Sequence, residues 1–550
     1  MPPLKLGELL QQKGLLKDSQ FKIALAEQAI TGERLGEAII GLGFVSSSDI
    51  ARCLAEQAGI PFLDITGYNI PEKVLRVISR DMSQNMGFLP LNIEDGLLTI
   101  GITNAENLRA IDQAAKIGNK PPKVYLVDTD LFQETLEKAY YFLDNPILQG
   151  IERLINIFKN EALPAGPNIA SLCDYLLQDA IRRNASDIHF SPTSKTLHVN
   201  YRIDGVLYQG HCLPKNLLIG IVSRIKVLSK LDIAEQRMPQ DGVFSFAFLK
   251  RAYEMRVSTL PTINGEDIVI KIIGSSSSLF RTRNLGFDEE DVNLIKHLFS
   301  KPSGMILIVG PTGAGKTTTL FAALRDIDLI EKSVITVEDP VESRLSMIKQ
   351  TGVSDKVGYT FSIAGKSFMR HDPDVILVGE ITDDENARIV LGASVTGHLV
   401  LSTLHTDDAA SAIPRLVNFN IERFAIATSL LAIVGQRLVR KICLNCKEEH
   451  IFEPRELTNM GFPDLEGSVR KTYRGRGCPV CNGTGYIGRT AIGEILVVDD
   501  DIRELISSSA SISSFREAAV GKGMKTIRQN GIKKALEGIT TLEEVLRVTG

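Results

Sequence analysis

Residues 305–320 read MILIVGPTGAGKTTTL. An apolar run, Met305–Val309, meets a glycine-rich loop, and a helical pattern follows it. Gly310, Gly315, Lys316 and Thr317 satisfy the G-x-x-x-x-G-K-[ST] spacing of a phosphate-binding loop. Glycines at 310, 313 and 315 let backbone N–H groups turn inward around an anion. The Lys316 ammonium suits β/γ-phosphates, and the Thr317 hydroxyl suits Mg²⁺. Pro311, Thr312, Ala314 and Thr318 complete the loop and the start of a helix whose positive end faces the anion. A glycine-rich turn that binds nothing is the bland alternative, and the strand before and helix after argue against it.

Working outward, three more apolar strands end in chemistry. VITVEDPVE (Val334–Glu342) carries Glu338 and Glu342, DPDVILVGE (Asp372–Glu380) ends in Glu380, and TGHLVLSTLHT (Thr396–Thr406) carries His398 and His405. Ligands of an open parallel sheet sit at the carboxyl ends of its strands, where the phosphate loop already lies. ATP hydrolysis needs such a set: a metal, a carboxylate to orient water and a polar group near the γ-phosphate. Taken singly, a strand-end glutamate is usually solvated and a histidine structural; three such ends beside one phosphate loop favour catalysis.

A chain of 550 residues exceeds one core and calls for several domains. Apolar content of 44% and charged content of 23% are those of a globular protein. A net charge of −4 argues against general nucleic-acid binding. No apolar run approaches a membrane span, and MPPLKLGELLQQKG lacks a signal-peptide h-region, so a cytosolic protein is expected.

Seven cysteines include CLNC (Cys443–Cys446) and CPVC (Cys478–Cys481). Two C-x-x-C pairs supply four thiolates for one tetrahedral Zn²⁺, and reduced free thiols are the alternative. Cys53, Cys173 and Cys212 lie in apolar contexts and read as core.

Toward the N-terminus the chain repeats itself. KLGELLQQKGLLKDSQFKIALAEQ (Lys5–Gln28) aligns without gaps on RLGEAIIGLGFVSSSDIARCLAEQ (Arg34–Gln57) at an offset of 29. Each copy reads as a helix, a glycine-ended turn and a second amphipathic helix. The expected organisation is multidomain α/β. A helical repeat spans 1–64, an α/β module 65–143, a proline-containing linker 144–168, a second α/β domain 169–274 and a serine-rich hinge 275–284. The phosphate-loop core spans 285–442, the cysteine lobe 443–498 and a helical end 499–550.

Across almost its whole length the sequence resembles the secretion ATPases of the type II secretion and type IV pilus assembly family. The resemblance is carried by ASDIHF (185–190), YRIDG (201–205), RMPQDG (237–242), the phosphate loop, VEDPVE, DPDVILVGE, TGHLVLSTLHT, the paired C-x-x-C, TGYIGRTAIGEIL and the closing GITTLEEVLRVTG. It implies a RecA-like P-loop core and a homohexameric cytoplasmic ring. The ring's ATP cycle would drive extension of a pilus or pseudopilus through an inner-membrane platform protein. Retraction motors of that family commonly lack the long N-terminal region and the cysteine lobe, both present here. By the same resemblance Lys316 and Thr317 serve phosphates and Mg²⁺, Glu338 and Glu342 serve metal and water, Glu380 is the Walker B acid, and His398 and His405 form the His box. Arg202, Arg237 and Arg256 match arginines that reach nucleotide, with the permanent charge and fork suited to phosphate. The repeat resembles a cyclic di-GMP-binding domain, with Lys5, Leu6, Gly7, Gln28, Arg34, Leu35, Gly36 and Gln57 at the motif positions. Lys5 departs from the arginine of that motif and lacks its fork, and a docking module without ligand is the equal alternative.

Other departures are Asn200 before YRIDG, Thr382 after Walker B, FMRHDPD at 368–374, and Lys271 in place of an arginine. Two competing functions are a nucleic-acid translocase, disfavoured by the charge balance, and a nucleotide-binding scaffold without turnover, disfavoured by the joint presence of Lys316 and Glu380.

Overall fold

The computed structural model describes residues 5–118, 120–159, 166–274, 281–462 and 471–550. The chain forms two compact units. One comprises Met1–Cys53, Ser278–Arg476 and Arg489–Gly550; the other comprises Leu54–Ser277 and Gly477–Gly488.

The first unit is built on a seven-stranded sheet. Its strands are β1 (Gly304–Val309), β2 (Val334–Glu338), β3 (Lys349–Gly352), β4 (Val375–Val378), β5 (Leu399–Leu404), β6 (Leu430–Ile442) and β7 (Tyr486–Val497), in the order β3-β2-β4-β5-β1-β6-β7. The pairs β2–β3, β2–β4, β4–β5, β1–β5 and β1–β6 are all parallel. Every residue of β1, β2, β4 and β5 is buried, as their predominantly apolar sequences require of strands covered on both faces. One face packs Leu307, Val400 and Ile433 against helices Asp384–Val395 and Ala412–Asn418. The other packs Ile306, Leu401 and Val434 against the helix Lys316–Asp326.

The two repeat copies fold alike. Helices Leu6–Gln12 and Asp18–Thr31 match Leu35–Gly41 and Ser47–Ala58. Gly14 and Gly43 close the first helix of each copy at φ 65° and 73°, the left-handed conformation glycine adopts without penalty. A side chain on Gly7 would stand 2.4 Å from the Phe21 ring, so that face is already covered. The repeat contacts the nucleotide core of its own unit. Lys17 pairs with Asp328 at 2.8 Å, and Ser346 donates to the Gly41 carbonyl at 3.2 Å.

In the second unit a three-stranded sheet, Phe88–Glu94, Leu97–Ile102 and Lys123–Leu126, packs with helices over Ile65, Val74 and Leu136. Residues 187–273 form a six-stranded antiparallel sheet. Its core takes Ile151, Leu154 and Phe158 from the helix Ile147–Phe158, so the expected linker is corrected there. Three apolar residues at helical spacing outweigh the prolines at its borders. Residues 160–165 of that expected linker and 275–280 of the expected hinge lie outside the described residues.

Candidate active site

The carboxyl ends of β1, β2, β4 and β5 bring the phosphate-loop residues and three of the expected polar side chains to one edge. Gly310, Gly313 and Gly315 all have positive φ. At Gly310 a Cβ would meet the Gln436 carbonyl at 2.5 Å, so only glycine permits this approach of β6 to the loop. Lys316 is buried and its Nζ donates to the carbonyls of Gly310 and Pro311 at 2.8 and 3.2 Å. The same Nζ lies 3.5 Å from His405 Nδ1, and His405 Nε2 lies 3.2 Å from Glu380 Oε2. Burial pushes the Lys316 ammonium below its ordinary pKa; Glu380 opposes this and the Arg437 charge adds to it.

Glu338 is buried at the end of β2. Its Oε1 accepts from Thr336 Oγ1 at 2.7 Å and Gln350 Nε2 at 3.0 Å, while Oε2 is buried with no partner among the described residues. An orphaned carboxylate oxygen beside a phosphate loop suits a hard cation. Thr317 is half-buried at the start of the helix, and Glu342 is exposed.

His398 stands apart from this group. It precedes Leu399, at the amino end of β5, and its Nδ1 stands 3.0 Å from the Ala393 carbonyl. Seven residues of strand put it ~23 Å from His405, so one strand cannot present both histidines at its carboxyl end.

Two residues that sequence reasoning passed over brace the loop. Gln436 accepts from Thr319 Oγ1 at 2.7 Å and donates to the Ala314 carbonyl at 2.7 Å. Arg437 follows it, with Nη2 donating to the Asp407 carbonyl at 3.0 Å. Their only sequence signal was a polar pair ending the long apolar run of β6.

Arg202, Arg237 and Arg256 belong to the second unit. Pairing registers there align Arg202 with Asp187, Asp187 with Lys271, and Lys271 with Arg256, one row across four strands with three cations and one acid. Lys271 thus restores a charge where the resemblance expects arginine. Arg237 stands outside the row and is exposed.

The sulfurs of Cys443, Cys446, Cys478 and Cys481 all lie within 4.8 Å of one another. Cys478 and Cys481 are 3.7 Å apart, against about 3.8 Å expected for two thiolates on a tetrahedral Zn²⁺ with Zn–S of about 2.3 Å. The N–H groups of Cys478 and Gly485 both donate to Cys481 Sγ at 3.2 Å, which favours the thiolate form. The donor set fits a closed structural zinc site. Cys53 and Cys173 are buried, as expected of core thiols, whereas Cys212 is exposed.

The repeat's motif positions fall in different surroundings. Lys5 and Arg34 are exposed at corresponding places, a Cβ added to Gly36 would stand 3.4 Å from Leu6, and Gln57 lies beyond Cys53 in the second unit.

Among the described residues no helix is long and apolar enough to cross a membrane. Residues 164–547 match the family described as type II/IV secretion system protein, and residues 58–145 match the MshEN domain. The MshEN match covers the three-stranded module and leaves the 29-residue repeat before it. A type IV pilus assembly ATPase, PilB, of Myxococcus xanthus is 34% identical, covering 98% of each chain. A type II secretion system protein E of Xanthomonas campestris pv. campestris is 35% identical, covering 99% of this chain and 98% of its own. The fold is also that of the Yersinia pseudotuberculosis ATPase DotB, with a TM-score of 0.51 at 18% identity, covering 71% of this chain and 95% of that one.

Proposed function

The chain belongs to the type II/IV secretion system protein family, and from that premise we propose that it is a motor ATPase. In this reading a homohexamer hydrolyses ATP to extend a type IV pilus or a type II secretion pseudopilus through an inner-membrane platform protein. The observation that carries the reading is the contact chain Lys316–His405–Glu380 at 3.5 and 3.2 Å, beside the orphaned oxygen of Glu338.

The residues divide the work by charge. Lys316 holds β/γ-phosphate oxygens once it leaves the loop carbonyls it now engages, and the inward N–H groups of 313–317 share that load. Glu380 accepts a hydrogen bond from attacking water and keeps His405 turned toward the phosphate end. Thr317 and Glu338 would hold Mg²⁺, which neutralises phosphate charge when bound. The row of Arg202, Lys271 and Arg256 gives a further cationic surface suited to phosphate, in the same or a neighbouring subunit. Cyclic di-GMP is the ligand proposed for the repeat, with Arg34 as its forked contact.

Glu380→Gln tests the enzyme reading. The amide keeps the packing and loses the charge, so ATP binding should persist while steady-state hydrolysis falls by roughly a hundredfold or more. Hydrolysis at the normal rate in that variant would overturn the assignment. Stimulation of the unmodified protein by the platform protein's cytoplasmic domain, and not by DNA, separates the pilus or secretion motor from a nucleic-acid translocase.

A further inference from the structure

Arg437 has one arm tied and one arm without a hydrogen-bond partner among the described residues. Nη2 donates to the Asp407 carbonyl at 3.0 Å and to Asp407 Oδ1 at 3.2 Å, while Nη1 is buried with no hydrogen-bond partner among the described residues. The Arg437 side chain is 14% exposed and that of Asp407 is 93% exposed, so the carboxylate is too solvated to offset much of a buried charge.

The position is specific. β6 runs parallel to β1 with Gly435 opposite Val309, which sets residues 436 and 437 beside the start of the phosphate loop. Gln436 presses its carbonyl against Gly310, and Arg437 reaches from there to Asp407, two residues beyond His405. It therefore spans from the strand flanking the loop to the segment that follows the His405 strand end. Its charge acts on Lys316, depressing that ammonium along with burial.

A buried guanidinium N–H without an acceptor is costly, and a second cation beside it adds repulsion. An anion with several oxygens removes both penalties, since guanidinium makes fixed, charge-assisted contacts to phosphate. We propose that Arg437 is a phosphate-binding residue of its own subunit's nucleotide site, donating Nη1 to the terminal phosphate of ATP while Nη2 stays anchored on Asp407. This rests on reading the phosphate loop as the nucleotide site.

The test uses the full-length protein with Mg²⁺, a non-hydrolysable ATP analogue and ADP, and compares the unmodified chain with Lys316→Ala, Arg437→Gln and Arg437→Lys. Arg437→Gln should weaken the ATP analogue by roughly 10- to 100-fold, the range of one lost charge-assisted hydrogen bond, and weaken ADP several-fold less. Its melting midpoint without nucleotide should stay level or rise, because a buried charge offset only by a solvated carboxylate has gone; an arginine that only supports the fold would lower it. If Arg437→Gln does lower the midpoint, Arg437→Lys decides, since it keeps the cation and should bind the ATP analogue more tightly than Arg437→Gln at equal ADP affinity. Equal ATP-to-ADP preference in the unmodified chain and both Arg437 variants overturns the proposal. Unmodified protein that binds neither nucleotide, or Lys316→Ala that binds both normally, overturns the underlying site reading instead.

Discussion

Asp49 accepts from Arg283 Nη2 at 2.7 Å through the same oxygen, Oδ1, that accepts from Asn284 Nδ2 at 2.9 Å. The carboxylate is fully buried, and Arg281 lies 3.9 Å from its other oxygen while also pairing with Asp326 at the end of the phosphate-loop helix. Burial alone would raise the Asp49 carboxyl; Arg283 and Asn284 outweigh it and hold it below the ordinary range. Charge thereby joins the repeat to the nucleotide core. Asp49→Ala takes the carboxylate from Arg283, while Arg281 keeps Asp326, and should cost about 2 kcal/mol in the unfolding of the first unit. Calorimetry of Asp49→Ala, Arg283→Ala and the double variant checks it: the two losses should add to clearly more than the double.

Gln436→Ala removes the acceptor of Thr319 and the donor to Ala314 together. Each lost bond leaves a buried partner, so about 1–3 kcal/mol of local stability should go. The phosphate loop loses its brace from β6, and ATP affinity should fall by roughly tenfold while far-ultraviolet circular dichroism is unchanged. Gln436→Glu separates the roles, since it keeps the Thr319 acceptor and loses the donor to Ala314. Its carboxylate also faces the Ala314 carbonyl beside the anion site, so nucleotide titration should place it at or below Gln436→Ala.

The phosphate loop, the four parallel strands around it and the cysteine pairs were legible because each is a local pattern with one physical reading. An all-apolar run ending at Gly310 or Glu380 is a buried parallel strand whatever surrounds it. Residues that act through pairing register were not legible. Arg202, Asp187, Lys271 and Arg256 are far apart in sequence and become one row only when four strands align. Gln436 and Arg437 needed the β1–β6 register. His398 and His405 are close in sequence yet stand at opposite ends of one strand, a separation that only the strand's extent shows. Asp49 carried no local signal, since its arginine partners lie 232 and 234 positions away.

Protein purified without chelator should carry one zinc per chain, bound by Cys443, Cys446, Cys478 and Cys481. Four thiolates leave no open position, so the expected effect of its loss is structural. Cys478→Ser should lower the zinc content well below one and loosen the lobe, while nucleotide affinity stays within about twofold because Cys478 lies on none of the strands that end at the phosphate loop. Elemental analysis with nucleotide titration checks both parts. Zinc-free protein with an unchanged melting profile would leave four reduced thiols and no site.

Glu544 joins the closing helix to β6. Arg440 donates to it through Nη2 at 2.8 Å and Nε at 3.1 Å, the Arg440 backbone N–H adds 3.2 Å, and Arg547 donates through Nε at 2.9 Å. The side chain is 1% exposed. Burial would raise the carboxyl; the hydrogen bonds and charges of Arg547 and Arg440 outweigh it and hold it near 2, against 4.5 for a free glutamate. A depressed folded-state value means the unfolded chain binds the proton first as pH falls. The stabilisation is therefore complete above pH 4.5 and is lost as pH drops from there toward 2. At ~1.36 kcal/mol per unit the shift amounts to about 3 kcal/mol. Glu544→Gln should unfold its C-terminal lobe more easily by about that amount at pH 7. The gap between variant and unmodified chain should narrow steadily as the pH of the unfolding experiment is lowered below 4.5. A gap that stays constant through that range would mean the clasp is held by packing of the helix, not by the Glu544 charge.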